Sequence, residues 1–167
     1  MDLGLQGRHA VVTGASKGIG LACAKALVAE GCTVTLVSRD AGRLAEAQKQ
    51  VGAQAQVFPA DLSKAEDRAK LAASVPAPDI LVNNAGAIPG GNILGLTMEQ
   101  WQEAWSLKVF GYIHLTQLYL PAMMQRRSGA IVNIIGLAGV SPRWDYVCGA
   151  AGNAALIAFT RAIGGKT

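Results

Sequence analysis

Five apolar runs alternate with helical stretches from one end of the 167-residue chain to the other. The runs fall at Ala10–Thr13, Thr33–Val37, Gln56–Phe58, Ile80–Asn83 and Ala130–Ile134. Their apolar residues are consecutive rather than alternating, which predicts parallel strands covered on both faces. Between them, helical patterns span Gly18–Glu30, Ala41–Val51, Lys64–Ala73, Met98–Met124 and Val147–Ile163. Ser63 and Thr97 stand where N-caps belong, and Gly31 and Gly52 where helices should stop. Repeated strand–helix units with right-handed crossovers predict one α/β domain with a doubly wound parallel sheet. The last run would form an apolar strand with an open edge, which proteins normally avoid. Either another chain covers it or the sequence is part of a longer protein, and the second reading is favoured.

Composition narrows the class. The chain is 51% apolar and 16% charged, enough for a real core, and its net charge is only +4. The basic residues are scattered, as on a solvated surface, so no nucleic-acid partner is expected. Met1–Gln6 has no basic-then-apolar leader, and no apolar stretch is expected to approach a membrane span of about 18 to 20 residues. Cys23, Cys32 and Cys148 lack metal-ligand spacing. The expectation is a cytoplasmic domain without a metal, acting on a small molecule.

The first strand runs into Thr13-Gly14-Ala15-Ser16-Lys17-Gly18-Ile19-Gly20, and a helix follows. Strand, glycine turn and helix N-terminus in that order make a phosphate site. Glycines let the backbone approach a pyrophosphate, and unpaired helix N–H groups attract it. About twenty residues on, the second strand ends Val37-Ser38-Arg39-Asp40, where a ribose-recognising residue belongs. A carboxylate at the tip would repel a 2′-phosphate. The tip is instead Ser38 followed by Arg39, whose planar fork suits a phosphate, and Lys17 adds positive charge. The expected cofactor is therefore NADP(H) over NAD(H). Asp40, one step into the loop, reads as a helix cap for Ala41.

Thr13–Gly20, Asp61-Leu62 after the third strand and Asn83-Asn84-Ala85-Gly86 after the fourth resemble the short-chain dehydrogenase/reductase family. The resemblance runs from Gly7 to about Gly164 and implies a Rossmann-like sheet. It also implies that Asp61 bonds the adenine amine and Leu62 packs on the adenine. Asn84, Ala85 and Gly86 would approach the ribose and the middle of the cofactor. Relatives are longer, and they pair the helices Met98–Met124 and Val147–Ile163 with symmetry mates, so a homodimer or homotetramer is expected.

The family's chemistry uses a tyrosine acid/base, a lysine that favours its phenolate, a serine that orients the substrate oxygen and an asparagine that holds a water. Aligned through Ala154–Arg161, those positions hold Gly149, Asn153, Gly136 and Lys108 respectively. All four are substituted. Tyr146 lies seven residues before Asn153, in a spacing similar to the Tyr-x6-Lys of enoyl-thioester reductases. Two helical turns would put Tyr146 and Asn153 on one side. Asn153 would bond a cofactor ribose but brings no positive charge. Lys108 is the candidate replacement for the ammonium and Tyr146 for the acid. Ser141, Arg143 and Trp144 lie on a loop that overhangs the pocket in relatives. His114 reads as a packed histidine, and His9 as remote from the nicotinamide end. Two functions follow: an oxidoreductase with an atypical active site, or an inactive dinucleotide-binding sensor or partner subunit.

Overall fold

A computed structural model describes residues 3–165; Met1, Asp2, Lys166 and Thr167 lie outside the described residues. The chain runs β1 (His9–Thr13), α1 (Gly18–Ala29), β2 (Thr33–Ser38), α2 (Ala41–Val51), β3 (Ala55–Pro59) and α3 (Ala65–Ser74). It continues with β4 (Ile80–Asn83), α4 (Met98–Leu107), α5 (Val109–Gln125), β5 (Ala130–Asn133), a 3₁₀ turn (Leu137–Gly139) and α6 (Val147–Gly164). All five strands are parallel, in the order β3-β2-β1-β4-β5. This is the doubly wound α/β sheet predicted from the continuous apolar runs.

The alternation of side chains along the strands builds two cores. One face of the sheet presents Ala10, Val12, Val34, Leu36 and Val82 to Ala24 of α1 and to Leu44 and Ala47 of α2. The other presents Val11, Val37 and Leu81 to Leu71 of α3 and to Leu115, Tyr119 and Met123 of α5. Ala10, Val11 and Val12 are wholly buried, as a central strand covered on both sides requires. Burial without a hydrogen-bond partner pushes the Tyr119 phenol up to about 12.

Asp40 caps α2 by accepting the Arg43 amide (2.9 Å), and Thr97 and Gln100 form a reciprocal capping box at α4. Gly31 and Gly52 follow α1 and α2 with φ of 86° and 110°, conformations open to glycine. Two expected boundaries shift. Lys64, not Ser63, precedes α3, because the Ser63 hydroxyl is turned back onto Asp61 (2.7 Å). The stretch Met98–Met124 is two helices interrupted at Lys108, whose backbone keeps right-handed helical angles (φ −84°, ψ −55°).

A third expectation also changes. α6 is 18 residues long with a mean hydropathy of 1.3, so by length and composition alone it would cross a membrane. Here it is a helix of the domain, with Cys148, Gly149, Ala150, Gly152, Asn153 and Leu156 buried. β5 closes one side of the sheet. It pairs with β4, and Val132 on it is 45% exposed.

Candidate active site

The strand order reverses between β1 and β4, which opens a crevice beyond their carboxyl ends. The glycine turn after β1 meets the loop after β4 there, and Thr13 and Asn84 join them. The Thr13 hydroxyl donates to the Val82 carbonyl (3.2 Å) and accepts the amides of Asn84 (2.8 Å) and Ala85 (3.0 Å). Asn84 Nδ2 returns bonds to the carbonyls of Thr13 (3.0 Å) and Gly14 (3.3 Å).

That closeness dictates the glycines. A Cβ on Gly14 would lie 2.9 Å from Ala85 Cα, and one on Gly20 would strike the Gly14 carbonyl. Gly18 is different. Its φ is 56°, and a Cβ there would meet nothing within 4 Å. Gly18 thus faces open space at the N-terminus of α1, beside an Ile19 that is 61% exposed. Open space in front of a helix N-terminus is what a pyrophosphate needs, since the first helix N–H groups point into it. The residues present fit a dinucleotide.

On the adenine side, Ser16 and Ser38 share a hydroxyl–hydroxyl bond (3.2 Å). Lys17 and Arg39 are exposed. Asp40 is engaged with Arg43 through the cap and an ion pair of 3.3 Å, which removes it as a competitor for the ribose. Asp61 Oδ1 takes both bonds from Ser63, which hold this carboxyl below the usual carboxylate range. Its Oδ2 makes no hydrogen bond among the described residues, and the charges of Lys64 and Arg39 also favour the carboxylate. Leu62 is 3% exposed and packs in the core with Val37 and Leu115.

At the other end of the crevice the Lys108 stem runs along Gly86, where a Cβ would lie 3.0 Å from Lys108 Cδ. Its ammonium donates to the Ile134 carbonyl (3.1 Å), which also accepts the Tyr112 hydroxyl (3.2 Å). Burial lowers the Lys108 pKa and raises that of Tyr112. Lys108 and Tyr146 share no hydrogen bond.

Tyr146 precedes α6 as its N-cap with non-helical angles (φ −147°, ψ 40°). Its ring folds over Gly149. A Cβ at 149 would collide with ring carbons Cε1 and Cζ and stand 2.6 Å from the hydroxyl oxygen. The backbone before α6 is pinned by Gly91, whose amide donates to Asp145 (2.8 Å) and whose carbonyl accepts the Val147 amide (3.2 Å).

Asn153 is only 2% exposed, and its amide is used within the fold. Oδ1 accepts the Gly136 amide (2.7 Å), and Nδ2 donates to the Gly149 carbonyl (2.7 Å). The two positions tied together are those where the resemblance expects serine and tyrosine. Nothing in the sequence spacing announced this clamp. Sequence reasoning also missed Arg68, a buried guanidinium that donates to His114 Nδ1 (3.0 Å) and to the carbonyls of Leu62 (2.6 Å) and Ser106 (3.1 Å). It packs α3 against α5 below the crevice and explains His114 as a packed residue. No cluster of metal-ligating side chains occurs among the described residues.

Residues 8–166 match the family model described as short chain dehydrogenase. The chain is 33% identical over 168 residues to 2,3-dihydro-2,3-dihydroxybenzoate dehydrogenase of Bacillus subtilis, covering 96% of this chain and 64% of that protein. Among solved structures, a short chain dehydrogenase/reductase family protein superposes with a TM-score of 0.93 at 36% identity, covering 97% of this chain and 68% of that one. The L-sorbose reductase of Gluconobacter frateurii, solved with NADPH and L-sorbose, gives 0.90 at 33% identity, covering 98% and 65%. The chain thus spans about two thirds of the length of these proteins.

Proposed function

The chain belongs to the short-chain dehydrogenase family, and from that premise we propose an NADP(H)-dependent oxidoreductase acting on a small carbonyl, alcohol or activated alkene. In this reading Tyr146 handles the proton, and Lys108 supplies the positive charge. The observation that carries it is the seating of the Tyr146 ring over Gly149. At the position where the family's tyrosine is missing, a second phenol fills the space that its side chain would begin from.

Bound nicotinamide would supply or take up the hydride. The chain's own residues do the rest. The Gly14–Gly20 turn and the α1 N-terminus hold the pyrophosphate, Asp61 Oδ2 is free for the adenine amine, and Ser38, Arg39 and Lys17 receive the 2′-phosphate. Arg39 is the main discriminator, because Asp40 is engaged in its cap. Asn153 holds Gly136 and Gly149 in place rather than a ligand. An ammonium at Lys108 favours negative charge developing near the ends of β4 and β5. An activated alkene or enone needs less of this help than a plain ketone, because its product anion is delocalised.

One observation favours the inactive sensor as a second reading: the Lys108 ammonium is bonded to a backbone carbonyl, not to Tyr146. The test is turnover. NADPH oxidation in the presence of a panel of enones and ketones, by the parent and by Tyr146→Phe, should show activity that the variant loses. NADPH binding with no turnover of any panel member would retire the enzyme and leave the sensor.

A further inference from the structure

Beside Tyr146 lies a pocket of about 300 Å³ lined by Leu137, Ala138, Ser141, Arg143 and Tyr146. Its chemistry is one-sided. Arg143 is held by Asp145 in a two-pronged ion pair, Nε to Oδ1 at 3.0 Å and Nη2 to Oδ2 at 2.6 Å. That pairing covers the fork that would otherwise grip a carboxylate or phosphate. Among the described residues, the hydroxyls of Ser141 and Tyr146 make no hydrogen bond, and both residues line the pocket. The segment that lines it carries three apolar side chains in water: Leu137 (77% exposed), which lines the pocket, and Val140 (73%) and Trp144 (64%), chain neighbours of the lining residues Ser141 and Arg143. Large apolar groups clustered within eight residues on a surface mark a place where something apolar binds.

We propose that this pocket takes an uncharged, apolar compound carrying one carbonyl acceptor, oriented by the hydroxyls of Tyr146 and Ser141, which line it together. The proposal rests on the oxidoreductase reading and names its substrate class. Ser141 then serves as the second donor that Gly136 does not provide. Asp145 acts as a specificity residue. It cancels the Arg143 charge from two residues away, and it repels any carboxylate that would replace it. A charged substrate must break that pair and face Asp145; a neutral one leaves the pair intact.

The test is equilibrium dialysis of the protein with 4-phenylbut-3-en-2-one and with its para-carboxylate analogue, each with and without saturating NADPH. The parent should bind the neutral ketone at least about tenfold more tightly than the carboxylate. Asp145→Asn, which frees the guanidinium, should narrow or reverse that ratio, and Arg143→Gln should preserve it. Ser141→Ala should weaken the neutral ketone several-fold. Binding of the carboxylate as tight as the ketone, binding of neither, or indifference to both Ser141→Ala and Asp145→Asn overturns the proposal. Because dialysis reads occupancy, ketone binding without turnover retains the pocket while rejecting the enzyme reading.

Discussion

Tyr146 and Gly149 exclude each other's alternatives: the ring of one occupies the volume that any side chain on the other would need. A tyrosine at 149 and the observed pose of Tyr146 therefore cannot coexist. The absence of a side chain at 149 is what lets the Tyr146 ring lie where it does.

Gly149→Ala tests that exclusion directly. In an ordinary helix interior, glycine to alanine stabilises by roughly 0.5–1 kcal/mol. Here the added methyl strikes the Tyr146 ring and turns the phenol out. Turnover should fall by at least about tenfold while NADPH affinity, measured by nicotinamide fluorescence, stays within about twofold. A variant that turns over like the parent would show that the seated ring is irrelevant to the chemistry.

Arg39→Asp should invert cofactor preference. Loss of one charge-assisted contact to the 2′-phosphate removes about 1.5–3 kcal/mol, or roughly 10- to 100-fold in NADPH affinity. NADH binding should hold or improve, since the new carboxylate suits a free ribose. Equal loss of both nucleotides would mean that Arg39 supports the loop rather than reads the phosphate.

The role of Lys108 has a pH signature. Burial lowers its pKa, so the ammonium is present at low pH and is lost as pH rises through a value below the free lysine's about 10.4. Reductive turnover should decline on the alkaline side, and Lys108→Met should abolish that limb while lowering kcat by about 10- to 100-fold. An unchanged pH profile in the variant would remove Lys108 from the mechanism.

Asp79 links acidity to stability. Its carboxylate accepts the His9 amide (2.9 Å) and Arg8 Nη1 (3.2 Å), bonds that hold its pKa below the usual range. The stabilisation is complete above the unfolded value of about 3.9 and is lost as pH falls through the lower folded value. Asp79→Asn should cost about 1–2 kcal/mol at neutral pH, with a smaller difference from the parent in acid. Urea melts at two pH values would show it; a pH-independent difference would mean packing rather than charge.

Asn153→Leu should destabilise by about 1–3 kcal/mol, because the Gly136 amide loses its partner beside a buried apolar group. Thermal melts monitored by circular dichroism check this. A neutral result would mean that solvent satisfies Gly136 as well as Asn153 does.

The sheet was legible because covered parallel strands leave an unambiguous mark: Ala10-Val11-Val12 and Ile80-Leu81-Val82 have no polar face to misread. The cradle was legible for the same reason that it works, since close backbone approach tolerates only glycine at 14 and 20. The interruption at Lys108 left no mark, as neither glycine nor proline accompanies it. Tyr146 was identified, but helical spacing described it poorly. It stands outside the helix as the cap, so its ring turns toward Gly149 instead of following a two-turn repeat. The Asn153 clamp and the Arg68–His114 contact depend on partners 17 and 46 residues away. Pairings at that distance follow from the finished packing and not from any local pattern.

The Gly91 bridge has a dynamic consequence. The segment leading from β4 to α4 and the residues flanking Tyr146 are joined by two backbone hydrogen bonds, so neither shifts alone. Any displacement of Gly91 is thereby passed to Asp145 and Val147, the two chain neighbours of Tyr146, so the stance of the phenol is set from outside its own helix as well as from within it.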